Sequence, residues 1–440
     1  LLIEDALVMD AEQVMKMYVR SMSSDLALVE KFGSIEMIDQ VKKIQEDYTK
    51  LKRDASDDKA LQKLAKEEER DIRDLMAIRD RIRHTEGLPD DPTAWTSKMG
   101  KGLLQFNYIT KLGGMTASAI PDMARPVMVH GITRVLGDGI LPLMTAFSSI
   151  GKLTKQLRAM GLASDMQNNS RMNSIADTVF EDYSRGTRLE KAMGASANSF
   201  GMVSLMAPWN TMFKQFSAVV AMNRTIDAIT KEVAGSLGKK ESEFLRSSLI
   251  SPEMGKKIHG QLEQFNEVEK GVTLPNVQNW TDPEAARMFR ASLRRSTDIT
   301  IVTPGAADRP IMATSSLPGR LIFQFKSFAM SATSRILLSG LQQADMAALN
   351  GAVMATFLGM AATSFKMWDA GRGEELKDWT AGKWITEGVD RSGLTGIMFD
   401  ANNIVEKASR GTLGFSAFTG GQQSSRYASR NVMGAILGPS

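Results

Sequence analysis

Three arginines at spacings of three and four, Arg287, Arg290 and Arg294 in "RMFRASLRR", put their guanidinium groups on one helix face. Such a row can hold phosphate or carboxylate oxygens through charge-assisted hydrogen bonds, so it is a candidate contact for nucleic acid or an acidic partner; the same pattern also serves as a plain solvated face. Other chemistry finds little support. The three histidines (His84, His130, His259) are scattered, with no spacing that would gather a metal. With no cysteine in the chain, disulfides, thiolate-ligated metals and cysteine nucleophiles are excluded. No phosphate-loop or nucleophile-elbow motif occurs, and "AGSLGKKES" is too short for the former and reads as a helix stop. Asp90 and Asp91 lie in a proline turn rather than in an apolar pocket that would raise a carboxyl pKa. The expectation is therefore no enzyme in these residues and no catalytic, cofactor or metal site.

A second pattern is steric. In Met346–Phe365, twenty residues without a charge, Ala348, Ala352, Ala355, Gly359 and Ala362 recur at four, three, four and three. Gly351, Ala355 and Gly359 form a further row of four. Small residues in rows let a second helix backbone approach closely, the mode that dominates in lipid. The length suits one bilayer crossing, and Lys366 and Trp368 stand where interfacial anchors would. Three uses fit: a permanent span, a helix buried in the protein or an oligomer, and a helix that meets membrane conditionally.

The elements that carry these patterns are read as mostly α, an elongated multi-helix assembly. Residues 1–84 form a charged helical arm or hairpin. Its Asp39–Arg83 stretch lacks Gly and Pro, with a sparse apolar stripe of Leu61, Leu64, Ile72, Leu75, Ile78 and Ile82. "TEGLPDDPTAW" breaks the chain. Residues 95–235 are apolar and punctuated by Gly and Pro. Residues 236–318 are an ordinary helical region, with Ser251 or Thr281 as helix caps and a small irregular or β excursion near 296–319. Residues 319–385 hold an amphipathic helix (stripe Ile322, Phe325, Ala329, Ala332, Ile336) followed by the small-residue helix. Residues 386–440 are a Gly- and Arg-bearing segment in which Arg426 and Arg430 are further candidate phosphate contacts.

The net charge of +4, from 54 basic and 50 acidic side chains, argues against a wholesale nucleic-acid coat. The 29 methionines suit surfaces that repack, and also simply fill cores. The chain opens inside an amphipathic pattern (Leu1, Leu2, Ala6, Met9) and closes on "GAILGPS", which leads to the expectation that it is a piece of a longer polypeptide.

Four segments carry a resemblance: "LQFNYITKLGGMTASAIPDMARPVMVHG" (104–131), "APWNTMFKQFSAVVAMNR" (207–224), "GRLIFQFKSFAMSATSRILLSGLQ" (319–342), and the stretch from "DRSGLTGIMFDANNIVEKASRG" to "SRYASRNVMGAILGPS" (390–440). Together these resemble the C-terminal region of the large internal virion proteins, the core or DNA-ejection proteins, of short-tailed bacteriophages. The resemblance covers most of residues 95–440 in consistent order. It implies a homo-oligomer around a symmetry axis, stacked with other core proteins on the portal inside the virion. On infection such proteins leave first and build a DNA-conducting channel in the host envelope, across periplasm and inner membrane, with genomic DNA as a non-specific partner. Some members carry a peptidoglycan-cleaving domain, which nothing here matches. Two other functions stand beside this one: a peptidoglycan hydrolase with an unrecognised site, and a cellular membrane pore or transport component. Against the pore stand the charge-dense arm and the single convincing span.

Overall fold

The computed structural model describes residues 11–55, 57–83, 94–111, 119–162, 206–303, 326–338, 345–409 and 412–414, with isolated positions between them. It divides into two compact units, one of residues 1–97 and 306–320, the other of residues 98–305 and 321–440.

In the first unit, α1 (Ala11–Phe32) is followed by α2 (Ile38–Arg53) and α3 (Asp58–Ile82). The last two run antiparallel. Tyr48 Oη donates to Asp71 at 2.7 Å, Lys52 pairs with Glu68, and Arg79 with Glu36 at 2.5 Å. Neither helix contains a fully buried residue. Leu64, Ile72, Leu75 and Ile82 of the expected stripe are half-buried, while Leu61 and Ile78 are exposed. A narrow stripe gives a pair of helices little to bury, so polar cross-links set the register. Asp57 caps α3 by accepting from Ala60 N at 2.8 Å.

The second unit has its main core among α5 (Phe147–Ala159), α6 (Met206–Val233), α7 (Lys239–Ser247), α8 (Pro252–Phe265) and α9 (Pro283–Thr300), preceded by the short α4 (Arg125–His130). Leu153, Leu157, Met222, Ile229, Leu245, Ile258, Phe289 and Leu293 meet there with almost no solvent contact. Pro252 and Pro283 open their helices, where a missing N–H costs nothing. Ser251 caps α8 as expected. The cap of α9 is Asp282 rather than Thr281: its carboxylate takes two amides, Glu284 N at 2.9 Å and Ala285 N at 3.0 Å, whereas Thr281 is bound to Gln261.

The small β excursion exists, as β1 (Glu267–Glu269) paired antiparallel with β2 (Val272–Leu274). It lies upstream of the expected place. Residues 296–300 complete α9, while 304–310 and 312–318 lie outside the described residues. The turn is Lys270-Gly271, both at positive φ (51° and 79°), the geometry of a two-residue hairpin that wants Gly second.

C-terminal to this core come α10 (Ser327–Ala332), running into a π-helical turn (Thr333–Leu338), then α11 (Met346–Asp369), α12 (Ala381–Ser392) and α13 (Ile397–Ala408). Of the expected stripe, Ile322 and Phe325 lie outside the described residues; Ala329, Ala332 and Ile336 are buried, and so are Ser327 and Ser331, which the stripe does not include. Helix α11 lies against residues 120–130 and against α12. That double contact joins regions that were read separately along the sequence, within 98–305 and 321–440, into one unit.

The backbones come very close there. A Cβ at Gly351 would stand 2.7 Å from the N and Cα of Met128, and one at Gly359 would overlap the carbonyl oxygen of Gly388. A Cβ at Gly388 would in turn stand 2.7 Å from the carbonyl oxygen of Thr356. Backbone atoms cannot swing aside as a flexible side chain can, so Gly359→Ala should cost about 3 kcal/mol or more. Gly260 in α8 has nothing within 4 Å of a Cβ, and Gly260→Ala should stabilise by up to about 1 kcal/mol. Thermal unfolding followed by circular dichroism checks the pair: Tm should fall by roughly 6 °C or more in the first and hold or rise in the second.

Candidate interaction surface

Helix α11 has two opposite faces. One carries Ala348, Gly351, Ala355, Gly359 and Ala362, all buried, and continues into Thr363 and Met367. Ala352, the remaining member of the small-residue seam, is half-buried at its margin. The seam therefore closes on the chain's own α4 and α12. The helix begins at Asp345, which accepts from Ala348 N and from Lys240 Nζ, each at 2.8 Å. The Lys240 ammonium, then the helix amides, hold the Asp345 carboxyl below its ordinary pKa.

The other face is apolar and exposed. Leu349, Val353, Phe357, Phe365 and Trp368 lie along it, with Phe357 65% and Trp368 73% exposed. Together they present on the order of 500 Å² of apolar surface, at the upper end for a protein that meets only water. Among the described residues α11 is the one straight helix long and apolar enough to cross a bilayer. The segments Ile120–His130 and Ile132–Thr145 pass the same test only as a pair, bent by 110° at Gly131 (φ 84°).

The arginine row is less uniform than its spacing. Arg287 and Arg294 are exposed, and Arg290 is half-buried. Arg294 Nε stands 3.9 Å from Asp298, and Arg295, beside the row, donates to the Ser247 carbonyl at 2.7 Å. Arg290 is thus less accessible to a phosphate than Arg287 and Arg294. Arg426 and Arg430 lie outside the described residues.

Among the described residues no three His, Asp or Glu side chains converge as a metal would need. Two concavities are open grooves on the charged faces of α2 and α3, one lined by Lys63, Lys66, Glu67 and Arg70 and the other by Lys42, Glu46, Lys50 and Arg53.

One polar cluster escaped the sequence reading, since its members are far apart along the chain. His130, at the end of α4, is buried between α6 and α9. Its Nδ1 is 3.5 Å from Arg224 Nη1, and its Nε2 is 3.4 Å from Thr300 Oγ1. Arg224 also donates to the Val129 carbonyl at 2.6 Å and to Glu241 at 3.0 Å, and lies 4.0 Å over the Phe244 ring. An arginine can only donate, so Nδ1 accepts. Thr300 Oγ1 spends its proton on the Ser296 carbonyl at 2.8 Å, so Nε2 carries the hydrogen. The imidazole is neutral: burial above all, then Arg224 and Arg134, lower its pKa to about 3.

Comparison with known protein families and curated proteins finds no match to the sequence, and no solved structure matches the fold.

The depressed His130 pKa sets a sign for acid sensitivity. Above about pH 6.5 the residue is neutral in both folded and unfolded chains and contributes nothing. Below that only the unfolded chain gains the proton, so stability falls by about 1.4 kcal/mol per pH unit until pH approaches 3. Urea unfolding between pH 4.5 and 7.5 should show this slope in excess of that of His130→Asn, whose side chain does not titrate.

Proposed function

We propose that this chain belongs to a structural internal virion protein. In this reading it forms an oligomeric core at the portal of a short-tailed phage and is then ejected to help build a DNA-conducting channel in the host envelope. The sequence segments quoted above suggest the class. The observation that supports it best in the fold is the two-faced α11. Its small-residue side is already used inside the chain, so the large apolar side remains for a neighbour or for lipid. A helix held in this way can lie on a bilayer without leaving its own packing. The near balance of basic and acidic side chains suits a passage through which DNA moves, because a strongly basic wall would hold phosphate too tightly for transit. Arg287 and Arg294 are the exposed members of the arginine row on α9 that could touch DNA non-specifically.

Vesicle flotation tests this reading. The 440-residue chain should float with phosphatidylethanolamine–phosphatidylglycerol vesicles, and its mass in detergent-free solution should exceed that of one copy. Phe357→Glu should reduce flotation at least tenfold, since burying one such ring contributes about 1.5–3 kcal/mol. Because Phe357 is 65% exposed in its own chain, Tm should barely move. A strictly monomeric chain that ignores vesicles would overturn the proposal.

A further inference from the structure

The layer formed by α10 to α13 is inverted relative to the rest of its unit. Among the described residues nine Asp, Glu, Lys and Arg side chains are almost fully buried. Six of them lie between Lys326 and Glu406, against one, Lys214, in the core of α5 to α9. Helix α13 turns Asp400, Asn403 and Glu406 inward, while each of its exposed positions (Ile397, Met398, Ala401, Val405 and Ala408) is apolar. Helix α11 does the same on its open side: from Met346 to Trp368 the one polar residue at an exposed position is Asn350. In α12 the buried Lys383, Glu387 and Asp390 oppose an exposed Ile385. In water such an arrangement is unfavourable twice, for the charge taken out of solvent and for the apolar surface left in it.

We infer that the outward faces of α11 and α13 are immersed in the hydrocarbon of a lipid bilayer. In hydrocarbon the inversion is the favourable order, since ionisable side chains there turn to the protein interior and pair with one another. Lys383 with Glu387 at 3.1 Å and Lys326 with Asp400 at 3.6 Å are such pairs. A second protein fits these faces less well. Protein interfaces carry about one hydrogen bond per 100–200 Å², yet the exposed side chains of α13 and of α11 up to Trp368 offer only the Asn350 amide. Acyl chains require none. The end of α11 supplies the boundary. Past Phe365 the apolar run gives way to Trp368, whose ring lies over Gly373, and then to Trp379 and Trp384, with ring centroids 5.1 Å apart. Between them runs a charged turn in which Arg372, Glu374, Glu375 and Lys377 are exposed. Tryptophans set between an apolar face and a charged segment stand at headgroup level, where the indole meets both water and acyl chains. At the opposite end of α11, Lys240 pairs with Asp345 at 2.8 Å and keeps its side chain 73% exposed. The inference rests on the membrane part of the proposed function and names its lipid contact: acyl chains rather than headgroups, on two helices rather than one.

Because the chain has no cysteine, single thiols can carry an environment-sensitive fluorophore. Val353→Cys on α11, Val405→Cys on α13 and, as a control in the helical core, Gly260→Cys all fall at exposed positions. On phosphatidylethanolamine–phosphatidylglycerol vesicles the labels at 353 and 405 should shift to the blue. A spin label on the acyl chain should quench them several-fold more than one on the headgroup, and the label at 260 should do neither. Val405→Glu should lower flotation several-fold with Tm nearly unchanged, since Val405 is exposed in its own chain. Stronger quenching from the headgroup at both sites, equal quenching at 260, or a label at 405 that stays in water overturns the inference. If the chain floats and the label at 353 alone is quenched, or if flotation withstands Val405→Glu, this inference falls and the ejection-protein reading stands. A chain that does not float overturns the inference too, and if its mass is also that of one copy the ejection-protein reading falls with it.

Discussion

The second unit depends on backbones meeting without side chains between them. Where α11 crosses α12, Gly359 faces Gly388, and where it crosses α4, Gly351 faces the Met128 backbone. Two helices at such a distance gain many dispersion contacts along their length, each worth only about 0.1–0.2 kcal/mol but numerous. They do so only while no Cβ intervenes. The same constraint sorts the composition of α11. Small residues must occupy the buried side, so Leu349, Val353, Phe357, Phe365 and Trp368 are left to the outside. The exposed apolar face is a consequence of the tight one.

The C-terminal layer also buries charge. Lys383 and Glu387 pair at 3.1 Å within α12, and Lys326 stands 3.6 Å from Asp400 of α13, all four buried. Such pairs cost desolvation that their attraction only roughly repays, but losing one partner leaves a bare buried charge and costs several kcal/mol. They therefore specify the arrangement more than they strengthen it. His130 and Arg224 do the same between α4, α6 and α9. These polar contacts pin the places where the chain's distant segments must coincide, whereas the apolar core around Phe289 and Leu293 would tolerate more exchange.

The charged arm follows a different physics. Helices α2 and α3 bury no residue completely and rely on Tyr48–Asp71 and the ion pairs at their flanks. Exposed ion pairs contribute little each, so such a hairpin is held by register rather than by depth of core. Helix α1 likewise buries Leu28 while leaving Val19, Leu26 and Val29 exposed.

Much of the fold was legible in the sequence. The absence of Gly and Pro over Asp39–Arg83, the Ser251 cap, the prolines that open α8 and α9, and the spacing of Ala348 to Ala362 each specify a local structure or a face, because helical periodicity is a property of the chain alone, whereas the cap of α9 fell one residue later than expected, at Asp282. The hairpin at Lys270-Gly271 had a signal, a two-residue turn ending in Gly between alternating strands, but three residues on each side is too short to stand out from helical neighbours. What fills a face was not legible. Small residues announce that something comes close, yet whether it is a second copy, lipid, or Gly388 of the same chain depends on pairings across more than a hundred residues for Met128 and fewer for Gly388, none of them encoded in spacing. The same holds for His130, whose neutrality comes from burial beside Arg224 and Thr300. Sequence determined which surfaces are narrow, small or charged; the tertiary structure alone decided which of them are already occupied, because occupancy depends on where distant backbones meet.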